Sequence, residues 1–220
     1  MSFPPRLLGV FAPGDIQSAS PVWHSPPPGS RLLGLLRHGR VHAPGPKCFM
    51  GTTPLQLDSA GEAQARSWRP LFHASPPDRL LSSPLDRCRH TARLACPQHP
   101  GRILPGLSEI RLGAWEGQTF DSIRSRFPRA FEQRGKAPHT FRPPGGESLG
   151  DVAHRATSAL IPALGKPSCR RVLAVTHAGV IRALLWRFLA SRPRALFQFR
   201  PQYGSLLIFA IPDISMTPLT

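Results

Sequence analysis

From about residue 31 to residue 211, short apolar runs alternate with stripes of helical period. Leu32–Leu36 is an apolar run that stops abruptly at Arg37-His38-Gly39. A run this short, bounded by polar residues, predicts a buried strand that delivers its polar residues at the C-terminal end. Asp58 supplies an N-cap for a helix reaching to about Phe72. Leu80-Leu81-Ser82 reads as a second strand, Asp86 to Cys96 as a helix, and Ile103-Leu104 as a shorter third strand. Thr119–Gln133 is broadly helical, with Pro128 set to kink or split it. Ser148 opens an amphipathic helix with Leu149, Val152, Ala153, Ala156, Leu160 and Leu164 on one face. Asp151, three residues on, makes that start resemble a capping box. Val172–Thr176 predicts a strand, His177-Ala178-Gly179 leads into a helix to about Ala190, and Leu206–Ile211 predicts the last strand. Strands alternating with helices predict an α/β fold, a three-layer α/β/α sandwich with a mostly parallel central sheet. In such sheets, sites form beyond the C-terminal ends of the strands.

The two ends of the chain read differently. Prolines cluster at Pro4, Pro5, Pro13, Pro21 and Pro26–Pro28, and periodicity is weak there. Residues 1–30 are therefore expected to be an irregular extension, with Leu7–Phe11 its one strand-like stretch. Residues 31–211 form the expected domain and 212–220 a tail; Pro138–Gly146 reads as a loop.

No run of 18 apolar residues occurs, which excludes a membrane-spanning helix. The apolar stretch Leu7–Ala12 is too short for a signal peptide, and Pro13 cuts it off. Cys48, Cys88, Cys96 and Cys169 form no C-x-x-C pair, so a zinc ribbon and a thioredoxin-type motif are absent. Free thiols in a reducing cytoplasm are the expectation. Charge is lopsided, with 28 Lys and Arg against 12 Asp and Glu, a formal +16. That balance favours anionic partners such as phosphate esters, nucleic acid or acidic surfaces, without choosing among them. An Arg-rich composition over a solvated surface produces the same number.

Three polar clusters follow directly on predicted strands: Arg37-His38-Gly39, Ser82 to Arg87, and Thr176 to Gly179. In a parallel sheet they land at one edge and gather His38, His177, Arg37 and Arg87 around one point. A neutral imidazole can attack phosphorus and hold a phosphoryl group covalently. Arginine forks match phosphate oxygens and keep their charge at any working pH. A second histidine, if protonated, adds a donor to the transferring group. A helix starting just after His177 points its N–H groups at the same anion. The leaving oxygen still needs an acid. Glu109 is the leading candidate and Glu116 the alternative; Glu147 and Ser148 read as helix-start structure.

These segments together resemble the histidine phosphatase superfamily, the phosphoglycerate-mutase-like fold. Arg37-His38-Gly39 matches its R-H-G signature. Ser83–Ala92 matches S-x-L-x-R-A-x-x-T-A, with Cys88 for the first Ala. Leu107–Gly117 matches L-x-E-x-x-x-G-x-W-E-G, Pro143–Ser148 matches P-P-G-G-E-S, and Val175–Arg182 matches V-T-H-x-G-V-I-R. The resemblance implies His38 as the nucleophile that becomes phosphohistidine. It implies Arg37, Arg87 and His177 as phosphoryl ligands, and Glu109 as proton donor and later base. It implies no cofactor and no metal, and His38 and His42 do not share a helix that would make them a ligand pair. The acid and P-P-G-G-E-S segments resemble α-ribazole phosphatases and related small-molecule phosphatases. The short span from Gly117 to Arg171 favours a phosphatase over a mutase, whose insertion there is usually longer. The implied partner is a small phosphate ester. A phosphomutase and a non-catalytic phospho-ligand module are the alternatives; the five retained site residues argue against the second. Nucleic-acid binding is not favoured, because no helix-turn-helix, zinc or aromatic-strand signature accompanies the charge. Relatives often carry Asn shortly after R-H-G, whereas Arg40 to Gly45 contains none. The common G-x-T-D-x-P-L segment is Gly51–Leu57 here, with Pro54 and Gln56 at its Asp and Pro positions.

Overall fold

The computed structural model describes residues 4–42, 45–166, 168–189 and 197–213. Six strands form one sheet in the order β1-β6-β2-β5-β3-β4. They are β1 (Arg6–Phe11), β2 (Ser30–Arg37), β3 (Arg79–Ser82), β4 (Arg102–Ile103), β5 (Arg171–Thr176) and β6 (Leu206–Pro212). The pairs β2–β5, β5–β3 and β3–β4 are parallel, and only β6 runs against its two neighbours. The helices are α1 (Ile16–His24), α2 (Ser59–Arg66), α3 (Arg69–Ala74), α4 (Asp86–Ala95), α5 (Phe120–Arg126), α6 (Pro128–Lys136), α7 (Leu149–Leu164) and α8 (Ala178–Leu189).

Alternation along the strands sorts side chains into two cores. Leu33 and Leu35 of β2, Val172 and Ala174 of β5, and Leu207 and Phe209 of β6 pack on α7 and α8. Leu32, Leu36, Leu173, Val175, Leu206 and Ile208 face the other way, onto α1, α3 and α4. This is the three-layer sandwich expected from the pattern. A smaller cluster of Phe49, Leu112, Trp115 and Ile123, with Phe120 and Phe131 against it, sits apart from both and anchors α5 and α6.

The local signals resolve as their chemistry requires. The helix expected from Asp58 to Phe72 breaks into α2 and α3 at Ser67-Trp68, with Pro70 in the first turn of α3. Pro128 splits the next helix into α5 and α6 and begins the second of them. Ser148 and Asp151 cap α7 reciprocally: the Asp151 N–H donates to Ser148 Oγ at 3.1 Å, and the Ser148 N–H to Asp151 Oδ2 at 2.9 Å.

The expectation of an irregular extension over residues 1–30 needs correction. β1 pairs antiparallel with β6 as an edge strand, and α1 packs on the sheet with Ala19 and Trp23 fully buried. The Trp23 indole N–H donates to the Ser75 carbonyl at 2.8 Å. Proline misled because Pro4 and Pro5 precede the strand and Pro21 is accommodated inside a short helix. β6 extends to Pro212, inside the expected tail; residues 214–220 and Ala190 lie outside the described residues.

Candidate active site

Register places the three polar clusters side by side. Arg37 of β2 is opposite Thr176 of β5, and Ser82 of β3 is opposite Val175. The chain leaves β2 into His38, β5 into His177 and β3 toward Arg87 at one edge of the sheet.

His38 is buried, its backbone N–H donating to the Thr176 carbonyl at 3.0 Å. Its Nδ1 lies 2.8 Å from the Gly39 carbonyl. A carbonyl only accepts, so Nδ1 carries the proton and Nε2 keeps its lone pair. Burial first, then the charges of Arg37 and Arg87, hold the imidazole well below the ordinary histidine value. The ring is neutral, the state in which an imidazole can act as a nucleophile. The turn after it is pinned by the Gly39 N–H, which donates to Thr91 Oγ1 at 3.1 Å. A β-carbon on Gly39 would stand 2.2 Å from the Gly61 carbonyl oxygen, so only glycine fits between β2 and α2.

Arg37 donates from Nη1 to the Pro201 carbonyl at 2.6 Å, and its guanidinium lies 3.7 Å above the centre of the Tyr203 ring. Its Nε is buried with no acceptor among the described residues. Tyr203 also lies beside His38, ring centres 5.5 Å apart. Arg87, buried in the first turn of α4, donates to the carbonyls of Gly51 (2.6 Å) and Thr53 (2.9 Å) and to Nδ1 of His177 (3.3 Å). That loop is gathered in turn by Glu116, whose Oε1 accepts the Gly51 and Thr53 N–H groups at 2.9 and 3.0 Å and the Thr53 hydroxyl. The alternative acid therefore shapes the loop that orients Arg87.

His177 is fully buried, with its ring centre 5.2 Å from that of His38. Because Nδ1 accepts from Arg87, the proton sits on Nε2, 2.7 Å from Ser83 Oγ. Burial, followed by His38, Arg87 and Arg37, keeps this ring well below the ordinary value as well. The ring considered from sequence as a protonated donor is thus a neutral imidazole in this structure. Cys88 places Sγ 3.3 Å from His177 Nε2. Burial pushes its thiol pKa upward, so it packs as an unreactive group.

Glu109 is buried in the loop that follows β4, against the first turn of α8. Its Oε2 accepts the Gly179 N–H at 3.1 Å and its Oε1 accepts the Ile110 N–H at 2.9 Å. Arg155 of α7 supports the acid loop from behind, donating to the Gly106 carbonyl (2.7 Å) and the Glu109 carbonyl (3.1 Å). Arg155 is itself held by Glu147 at 2.9 and 3.0 Å. Glu147 is thus structural, and the Pro143–Ser148 segment positions the acid. All five expected residues gather at this edge. Tyr203 and the bracing role of Glu116 were not legible, because both depend on contacts across long sequence separations.

Among the described residues, no three His, Cys, Asp or Glu side chains gather as a metal-binding group, and no helix is long and apolar enough to cross a membrane. Residues 33–216 match the family described as the histidine phosphatase superfamily (branch 1). The adenosylcobalamin/alpha-ribazole phosphatase of Salmonella typhimurium is 30% identical over 177 residues, spanning 78% of this chain and 86% of that protein. The alpha-ribazole phosphatase structure from Shigella flexneri superposes with a TM-score of 0.71 at 25% identity, covering 82% of this chain and 94% of that one. A mycobacterial glucosyl-3-phosphoglycerate phosphatase superposes at 0.69 with 26% identity, covering 82% and 90%.

Proposed function

Since the chain belongs to branch 1 of the histidine phosphatase superfamily, we propose that it hydrolyses a small phosphorylated metabolite through a phosphohistidine on His38. One observation supports this reading above the others: a neutral histidine with a free Nε2 stands among Arg37, Arg87 and His177. A phosphate monoester enters with its oxygens against the two guanidinium groups. Its dianionic charge offsets the repulsion between them, and favours protonation of His177 as a donor to the phosphoryl oxygens. Nε2 of His38 attacks phosphorus and forms the N–P bond while the bond to the leaving oxygen breaks. Glu109, carrying a proton, gives it to that oxygen. Water then replaces the alcohol. Glu109 takes a proton from the water, the new P–O bond forms, the N–P bond breaks, and inorganic phosphate leaves. Nucleophile, charge neutralisation and acid all come from side chains, so no step in this scheme calls on a cofactor.

Hydrolysis of p-nitrophenyl phosphate in EDTA, with wild type beside His38→Ala, tests the reading. Activity that survives EDTA and vanishes in the variant is expected, together with an acid-labile, base-stable phosphoryl group on wild-type protein quenched in turnover. Undiminished turnover by His38→Ala would overturn the assignment. Transfer of phosphate to a second alcohol, without release to water, would favour a mutase.

A further inference from the structure

The turn before β6 is built around the end of β2. The Arg37 N–H donates to the Ser205 carbonyl at 2.9 Å, and the Gly204 N–H donates to the His38 carbonyl at 3.1 Å. From α2 and α3, the Trp68 indole N–H donates to the Gly204 carbonyl at 2.7 Å. The turn also closes on itself, the Ser205 hydroxyl donating to the Gln202 carbonyl at 2.7 Å. Gly204 sits at φ +70°, and a β-carbon there would stand 2.8 Å from that of Gln64. Tyr203 is therefore carried on backbone tied to both Arg37 and His38.

Core packing does not account for this side chain. Tyr203 is half-buried and belongs to none of the three apolar clusters. The Arg37 guanidinium carbon lies 3.7 Å from the centre of its ring, and that centre lies 5.5 Å from the centre of the His38 ring. One aromatic side chain thus touches both the nucleophile and a phosphoryl ligand. Arg37 makes one side-chain hydrogen bond among the described residues, from Nη1 to the Pro201 carbonyl, and its buried Nε has no acceptor among them. The Glu109 carboxylate acts on its charge through space, which sets no angle. One hydrogen bond is a hinge about which the planar fork can still turn. An aromatic ring against the face of the guanidinium removes that freedom.

We propose that Tyr203 is a positioning residue of the phosphoryl pocket. Its ring holds the plane of the Arg37 guanidinium, so that the fork meets the phosphoryl oxygens at one fixed angle while His38 attacks. The proposal rests on the phosphatase reading above and adds to it a residue that acts through Arg37. The contact that fixes the plane uses the face of the ring, so phenylalanine can replace it. An aliphatic side chain fills the space without a π face.

Orthovanadate takes the five-coordinate shape of phosphorus in transfer, and its binding reads this positioning without turnover. By calorimetry, Tyr203→Leu should bind vanadate about tenfold more weakly than wild type and Tyr203→Phe within about twofold, the scale of a cation–π contact shielded from water. The same split should appear in kcat/KM for p-nitrophenyl phosphate. Coupling to Arg37 separates positioning from a structural role. In an Arg37→Met background, Tyr203→Leu should cost little further vanadate affinity, because the group it orients is gone. Far-ultraviolet circular dichroism and thermal unfolding check each variant, and Tyr203→Met replaces a Leu variant that fails to fold. Tyr203 is the chain's one tyrosine, so wild type labelled with 3-fluorotyrosine gives a single fluorine resonance, which should move when vanadate binds. A resonance that stays in place would overturn the proposal. So would full additivity of the two substitutions, a Phe variant as impaired as the Leu variant, or a Leu variant that binds vanadate as wild type does. Failure of the phosphatase reading appears elsewhere, as absent p-nitrophenyl phosphate turnover by wild type with the contrast between Phe and Leu in vanadate binding intact.

Discussion

The backbone N–H of Gly179 donates to Oε2 of Glu109 at 3.1 Å, and a β-carbon on Gly179 would stand 2.2 Å from Oε1 of the same carboxylate. The first turn of α8 thus both holds the acid and leaves room for it. Gly179→Ala should push the carboxylate aside. On an alkyl phosphate such as glycerol 2-phosphate, kcat should fall by about 10²-fold or more, the scale of a lost general acid. With p-nitrophenyl phosphate, whose phenoxide leaves with little help from an acid, the loss should be clearly smaller. Glu109→Gln should show the same contrast. Equal losses on both substrates would point to local misfolding in place of a displaced acid.

The two buried histidines make stability depend on pH. Burial, ahead of the neighbouring cations, keeps both His38 and His177 well below 6.5 in the folded chain. Below that value the unfolded chain binds protons that the folded one refuses. Their contribution is therefore fully present above the ordinary histidine pKa and is lost as pH falls from there toward the folded values. The slope is about 1.4 kcal/mol per pH unit for each ring that stays neutral. Urea unfolding between about pH 5 and 7 should show this decline, with a shallower one for His38→Gln. A midpoint that does not move with pH would contradict neutral rings.

Glu116 gathers the Gly51 and Thr53 N–H groups, and the carbonyls of the same two residues hold Arg87. Glu116→Ala leaves those N–H groups without their acceptor and frees Arg87 to swing. Affinity for inorganic phosphate as a competitive inhibitor should weaken by about tenfold, comparable to losing one buried charge-assisted contact. Unchanged inhibition would mean that Arg87 is held by α4 alone.

Trp23 is fully buried against the sheet and donates a hydrogen bond to Ser75. Trp23→Ala should cost about 3–5 kcal/mol in denaturant unfolding. Deleting residues 1–29 should produce insoluble or unfolded protein. A soluble, active fragment beginning at Ser30 would show that α1 and β1 are dispensable.

Much of the central sheet was legible because its signals are local. The apolar runs ending in Arg37, Ser82 and Thr176 are continuous in sequence, and parallel pairing follows from the helices between them. The Ser148–Asp151 cap is equally local, since both partners lie within one helical turn. β1 was legible only as a strand-like stretch, not as part of the fold, because its partner β6 lies about two hundred residues away in sequence and nothing near Arg6 announces it. α1 was hidden by Pro21, which breaks the helical signal without breaking the helix. At the site, residues placed at strand ends could be read in advance. Glu116 could not, because its role depends on a loop 63 to 65 positions earlier.

β5 lies between β2 and β3 in the sheet, although it follows both in the chain. A ribosome makes His38 and Arg87 long before it makes the strand that separates and aligns them. Until Thr176 has emerged, β2 and β3 have no common neighbour, and the two halves of the proposed phosphate pocket cannot face each other. The capacity for catalysis therefore arises as one late event in biosynthesis. A message cut short before that codon yields a chain with most of its signature residues and no pocket.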